Sequence, residues 1–323
     1  MENIKAVVRV RQILCMERKV GDVSCVEVQE CGKKLAVKIL PTKTEIYRCS
    51  KFFPKNTLQQ TFYEQCGVYD LIDRAMAGNS VNILTFGEHH AGKTYTLLGP
   101  PKSLGSCEKH VGLISRCLKY VFCKLNDLNA RYNLSLTCVE IHDEQVLDMF
   151  VPHNEREDLP LRRGPTGDIS LHGVHHIVCA SYASAVTAVD SIVAERCAAR
   201  SNSHCVLEVH IELPVDEEET SNKTTSAIKL GKISFVDLAD SEYLVARTSE
   251  DGTIIHADHS LSTLSKTIDG LEKINNDNAT VMDSALTALL CDSVGVPGCS
   301  LLIACICEAT LSVNATVKTL QFR

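Results

Sequence analysis

Apolar positions fall into two alternating rhythms. Residues 7–10 form a short apolar run bounded by Arg9 and Arg11, and polar, β-rich sequence continues to about Phe53, which predicts a strand-and-hairpin opening. From Thr57 onward Leu58, Phe62, Leu71, Ile72 and Ala75 are spaced for one helix face until Gly78-Asn79 stops the run, so a helix of about 20 residues is expected. Residues 81–86 read as a buried strand running directly into a glycine loop and a new helix. Further strands are expected over 134–141, 205–213, 228–236 and 301–306. Val186, Val189 and Val193 mark one side of a helix over 181–197. Leu261, Leu264, Ile268, Leu271 and Ile274 define a long amphipathic helix, and residues 284–290 a short one. The acidic run from Asp216 to Glu219 reads as the solvated tip of a hairpin between two strands. Alternating strands and helices imply an α/β fold with a central, mostly parallel sheet covered by helices on both faces.

The pattern shows no internal repeat, coiled-coil heptad or break, so residues 1–323 are read as one large domain. Hydrophobic residues make up 45% of the chain and charged residues 23%, with no Trp, which suits a soluble globular protein. Its 16 cysteines lack a CxxC pair or zinc-site spacing, and no signal-peptide pattern or long apolar run accompanies them. Reduced, core-filling thiols in the cytoplasm are therefore expected, Cys305 and Cys307 included, and no membrane partner. A formal charge of −7 argues against a nucleic-acid binder.

Candidate chemistry centres on Gly87-Glu88-His89-His90-Ala91-Gly92-Lys93-Thr94, which fits the phosphate loop GxxxxGK[ST]. In such a loop the backbone N–H groups close around phosphates, Lys93 reaches the β- and γ-phosphates, and Thr94 ligates Mg²⁺. The strand before it and the helix after it supply the context this motif requires. A nucleotide-hydrolysing loop also needs an acidic residue at the end of a neighbouring strand, and Asp237 after Ile233-Ser234-Phe235-Val236 is the candidate. Taken alone, Asp237 reads equally as a turn or helix cap.

Thr85 to Thr96 resembles the phosphate loop of kinesin motor domains, and Val236-Asp237-Leu238-Ala239-Asp240-Ser241-Glu242 resembles their second switch. Further ordered blocks agree: Arg9-Val10-Arg11, Val139 to Glu144, Ser201-Asn202-Ser203-His204, Ser260 to Leu264 and Asp283 to Thr287. The resemblance implies a kinesin-type P-loop fold binding ATP or ADP with Mg²⁺. It implies adenine near Arg9 and Arg11 and against Tyr95, although a tyrosine there is also compatible with core packing. Thr94, Ser201 and Asp237 are implied as metal-side residues, and Ser201, Asp237, Asp240 and Glu242 as the catalytic set. It further implies a microtubule as partner and a cytoskeletal location in the cytoplasm; cargo or adaptor stay unspecified.

The departures are as informative. Asp240 stands where the family has a glycine whose amide approaches the γ-phosphate. Asn202 replaces the arginine that in the family pairs with the position of Glu242, with Arg200 two residues earlier as a substitute, and Gln12 replaces a proline beside adenine. From Asp237 to Pro297 there are three basic residues, Arg247, Lys266 and Lys273, against eleven acidic ones, a formal −8. Met282, Ala285 and Ala288 stand where basic residues usually meet the acidic polymer, while Arg162 and Arg163 offer an alternative contact. These features favour a kinesin-like nucleotide-binding motor domain with weakened hydrolysis and microtubule affinity. A non-motile adaptor that keeps the fold for protein contacts, and an active motor with compensating changes, are the other readings.

Overall fold

Nine strands join into one sheet in the computed structural model, which describes residues 4–322 apart from 20, 30–31, 41, 102–106, 129–130, 165–168, 199–201, 215–227, 245–246, 249–253, 256, 273–282 and 297. From one edge the order is Ile177–Val178, Asn133–His142, His204–Pro214, Ile228–Asp237, Ser80–Gly87, Ser300–Cys307, Lys5–Arg11 and Lys51–Phe53, with Gln145–Asp148 pairing off Asn133–His142. The five strands from Ile228–Asp237 to Lys51–Phe53 run parallel, as the alternating pattern predicts. His204–Pro214 is antiparallel to both its neighbours, so the sheet as a whole is mixed. His204–Pro214 and Ile228–Asp237, consecutive in the order of strands, form an antiparallel pair. The acidic run Asp216 to Glu219 lies outside the described residues.

One sheet face is covered by Val68–Met76, Leu113–Asp127 and Tyr182–Ala198, whose Leu71, Ile72, Leu118, Val121, Ala185 and Val189 are buried against it. His259–Glu272 and Ala285–Leu290 cover the other, burying Leu261, Leu264, Ile268, Leu286 and Leu290. A small antiparallel sheet of Val26–Val28, Lys34–Leu40 and Lys43–Arg48 packs with Val313–Gln321 through Leu35, Val37 and Val317, which accounts for the predicted hairpin opening. Among the described residues no helix is long and apolar enough to cross a membrane, and fourteen cysteines, Cys305 and Cys307 among them, are free thiols.

One expectation is corrected and one helix is added. The helix read from Thr57 is two helices, Gln59–Gln65 and Val68–Met76, because Gly67 at φ 95° takes a left-handed conformation between them. Leu58 precedes the first and is 62% exposed. Leu113–Asp127 was overlooked, although Leu113, Ile114, Cys117, Leu118, Val121, Phe122 and Leu125 repeat at helical spacing and are all buried. Ile274 of the expected long helix lies outside the described residues.

Candidate nucleotide site

The phosphate loop is placed by strand register. Ser80–Gly87 lies between Ile228–Asp237 and Ser300–Cys307, all parallel, so their carboxyl ends open on one side of the sheet. Thr85 is registered opposite Asp237, which brings the acidic candidate beside the loop. Gly87, at φ 156°, is required by its neighbour strand: a Cβ there would stand 2.1 Å from the Cys305 carbonyl oxygen. The chain then turns through residues 88–92 into Lys93–Leu97.

Lys93 does not point free into the loop. Its Nζ donates to the carbonyls of Gly87 at 3.1 Å and Glu88 at 3.0 Å, and it forms a buried ion pair with Asp240. The other Asp240 oxygen meets His89 Nδ1 at 2.8 Å. Asp240 is 4% exposed, so its carboxylate reaches the Lys93 amine from inside the protein. Glu88 is also buried, with Oε1 lacking a partner among the described residues. Burial, together with the nearby Glu242 carboxylate, pushes its carboxyl up to about 7.

Asp237 is the hub of a second cluster. Its Oδ2 accepts from Thr94 Oγ1 at 2.7 Å and from Arg196 Nε at 2.9 Å, and its Oδ1 from Thr85 Oγ1 at 3.3 Å. Burial would raise its pKa, but Arg196, Lys93 and Thr94 outweigh that and hold the carboxyl below its usual range. Arg196 also donates to Ser203 Oγ at 2.7 Å and Ser203 O at 2.8 Å, and Ser203 Oγ donates to Glu140 Oε1 at 2.6 Å. The sequence reading did not single out Arg196. It precedes the switch-like block by five residues, and its carboxylate partners Glu140 and Asp237 are distant in sequence, so only the fold reveals it.

Ser201 and Arg200 lie outside the described residues. Asn202 Nδ2 meets His142 Nε2 at 2.8 Å, and among the described residues no cation pairs with Glu242. His204, fully buried, bridges to the long helix: its Nδ1 accepts from Ala239 N at 3.0 Å. That fixes the tautomer, so Nε2 donates to Asp258 Oδ1 at 3.1 Å, which in turn accepts from Leu261 N at 2.6 Å.

A cleft of about 760 Å³ extends from Asp240 and Lys93 past His90, Ala91 and Tyr95 to Arg9 and Arg11. The Arg9 guanidinium donates to Thr96 Oγ1 at 3.0 Å and to Gln59 Oε1, and sits 4.7 Å from the Phe62 ring centroid and 5.6 Å from that of Tyr95. Arg11 pairs with Glu17 at 2.7 Å. Tyr95 is 37% exposed and its hydroxyl meets His110 Nδ1 at 2.8 Å, which leaves ring surface open to the cleft rather than packed in the core.

On the opposite sheet face, Arg162 and Arg163 line a shallow groove with Asp283, Ser284, Ala285 and Ala288, so the arginine hairpin shares a surface with the short helix. Ala285 and Ala288 are each only 6% exposed. A basic side chain at either position would have to thread outward past that groove. Met282 lies outside the described residues. Glu144, at φ 64° in the turn after Asn133–His142, accepts from Ser260 Oγ at 2.6 Å and from Ala285 N at 2.7 Å.

The family model for the kinesin motor domain matches residues 9–323. Kinesin-like protein KIN-5B of Arabidopsis thaliana is 27% identical, the match covering 99% of this chain and 32% of that protein. Kinesin-like proteins KIF12 and KIF11 of Mus musculus are 26% and 27% identical over 99% of this chain, and 51% and 32% of their own lengths. This chain thus spans between about a third and a half of these relatives. The solved structure of a fast kinesin superposes with a TM-score of 0.84 at 22% identity, covering 99% of this chain and 89% of its own, which establishes the common fold. Since the family model spans all but the first eight residues, the chain belongs to the kinesin motor-domain family.

Proposed function

We propose that this chain is the nucleotide-binding motor domain of a microtubule-associated kinesin-like protein, acting in the cytoplasm on the cytoskeleton, with a weakened grip on the γ-phosphate and weak electrostatic capture of the polymer. Kinesin motor domains bind nucleotide together with Mg²⁺. The cleft between the phosphate loop and Tyr95 has room and cationic lining for ATP or ADP. Backbone N–H groups of residues 88–93 cradle the phosphates, Lys93 neutralises them, and Tyr95 offers a face to the adenine. Ser201 belongs to the first switch-like block and Glu242 to the second. Thr94 and Asp237 are the right donor types for Mg²⁺, yet the buried guanidinium of Arg196 already balances Asp237, so the residues present do not fit a resident Mg²⁺.

The observation that carries the reading is the Asp240 carboxylate lodged on Lys93. A γ-phosphate must both separate that pair and approach the carboxylate. Two like charges about 4 Å apart near a protein surface repel by roughly 4 kcal/mol at an effective dielectric of 20, more than one net hydrogen bond returns. ADP makes less of this demand. Calorimetric titration should therefore show ADP binding about tenfold or more tighter than a non-hydrolysable ATP analogue, with Asp240→Asn closing the gap. Equal affinities, unchanged by that substitution, would overturn the reading.

A further inference from the structure

We infer that Arg196 takes the place of the divalent cation in this cleft, so that the chain holds adenine nucleotide without Mg²⁺. The inference rests on the nucleotide-binding reading above. Arg196 sits near the end of Tyr182–Ala198, is 8% exposed, and reaches the floor of the cleft that Lys93 and Thr94 also line. Its Nε lies 2.9 Å from Asp237 Oδ2, the same oxygen that accepts the Thr94 hydroxyl. These are the two side chains between which a P-loop protein places its metal.

The guanidinium is fixed in position. Nη1 donates to Ser203 Oγ at 2.7 Å, Nη2 to Ser203 O at 2.8 Å and to Asp237 O at 3.4 Å, and Glu140 Oε1 stands 3.9 Å from Nη1. Swinging Arg196 aside would take the guanidinium from the buried Asp237 carboxylate and leave it the hydroxyls of Thr94 and Thr85. A divalent ion entering beside Asp237 would meet a fixed cation that cannot give up its proton. With Lys93, the guanidinium instead presents the positive charge that phosphate oxygens require, in a side chain whose geometry suits them.

The test is calorimetric titration of the unmodified domain with ADP, once in excess Mg²⁺ and once in excess EDTA. The two dissociation constants should agree within about threefold, whereas Arg196→Gln should bind about tenfold more weakly in EDTA than in Mg²⁺, and Arg196→Lys should stay close to the unmodified domain. Binding by the unmodified domain that falls tenfold or more in EDTA overturns the inference and leaves the nucleotide reading standing. Binding in neither buffer overturns both. The unmodified comparison needs no variant to fold, and an Arg196→Gln domain that folds and binds equally in both buffers removes Arg196 from the role.

Discussion

Asp240 and Lys93 face each other across the phosphate loop as an ion pair whose side chains are 5% and 7% exposed. Asp240 has φ −63° and ψ 142°, a conformation open to any residue, so an aspartate here brings bulk and charge without backbone strain. Asp240→Asn keeps the size and removes the charge. ATP turnover with microtubules should rise about tenfold, equivalent to about 1.4 kcal/mol of barrier, and Asp240→Gly should do at least as well. Steady-state phosphate release measures this. Fast turnover by the unmodified domain, indifferent to both substitutions, would contradict it.

Lys93→Ala should abolish nucleotide binding while leaving Asp240 with only His89 as a partner. In thermal unfolding, ADP at 100 times its dissociation constant should stabilise the unmodified domain by about 2.7 kcal/mol and the variant not at all. A shift of the same size in both would place the nucleotide elsewhere.

What could be read from sequence was what is local. The strand, glycine loop and Lys93-Thr94 are contiguous, so one pattern carries them; Asp237 needed only its preceding apolar run. The Leu113–Asp127 helix was equally legible in its repeat and was missed. Gly67 could not be distinguished from a tolerated helical glycine, because the neighbouring apolar spacing continues on both sides of it. Arg196 lies 41 residues from Asp237, and nothing in either neighbourhood signals the pairing. Ala285 and Ala288 aligned with surface positions of the family, and only the packing of the Leu161–Arg163 hairpin shows that they are covered.

Glu88 gives the domain a pH signature. Its folded-state pKa, pushed up to about 7 by burial, exceeds the ordinary carboxylate value, so the folded state binds a proton more readily than the unfolded chain. Its contribution is fully present below about pH 4 and is lost as pH rises through 7. Glu88→Gln should therefore raise the melting temperature at pH 8, by the equivalent of roughly 2 kcal/mol, and this advantage should vanish towards pH 5. Melting curves across that range decide it, and a constant offset at every pH would reject the assignment.

Microtubule capture should be weak at physiological salt, because the segment from Asp237 to Pro297 carries a formal −8. Since Ala285 and Ala288 are covered, the exposed Asp283 beside Arg162 is the better place to add charge. Asp283→Lys should strengthen co-sedimentation about threefold or more at low salt and less at 0.15 M, where screening acts over about 8 Å. Arg162→Glu should weaken it further. Tight binding at 0.15 M salt that neither substitution alters would mean that another face meets the polymer.

The carboxylate of Glu144 touches both His259–Glu272 and Ala285–Leu290, accepting from Ser260 near the start of one and from Ala285 N at the start of the other. One side chain on a tight turn therefore acts as a shared pivot. If the longer helix slides, it must drag the shorter with it or give up a hydrogen bond worth roughly 1 kcal/mol. The two helices are thereby tied together at one corner, beside the groove that carries Arg162.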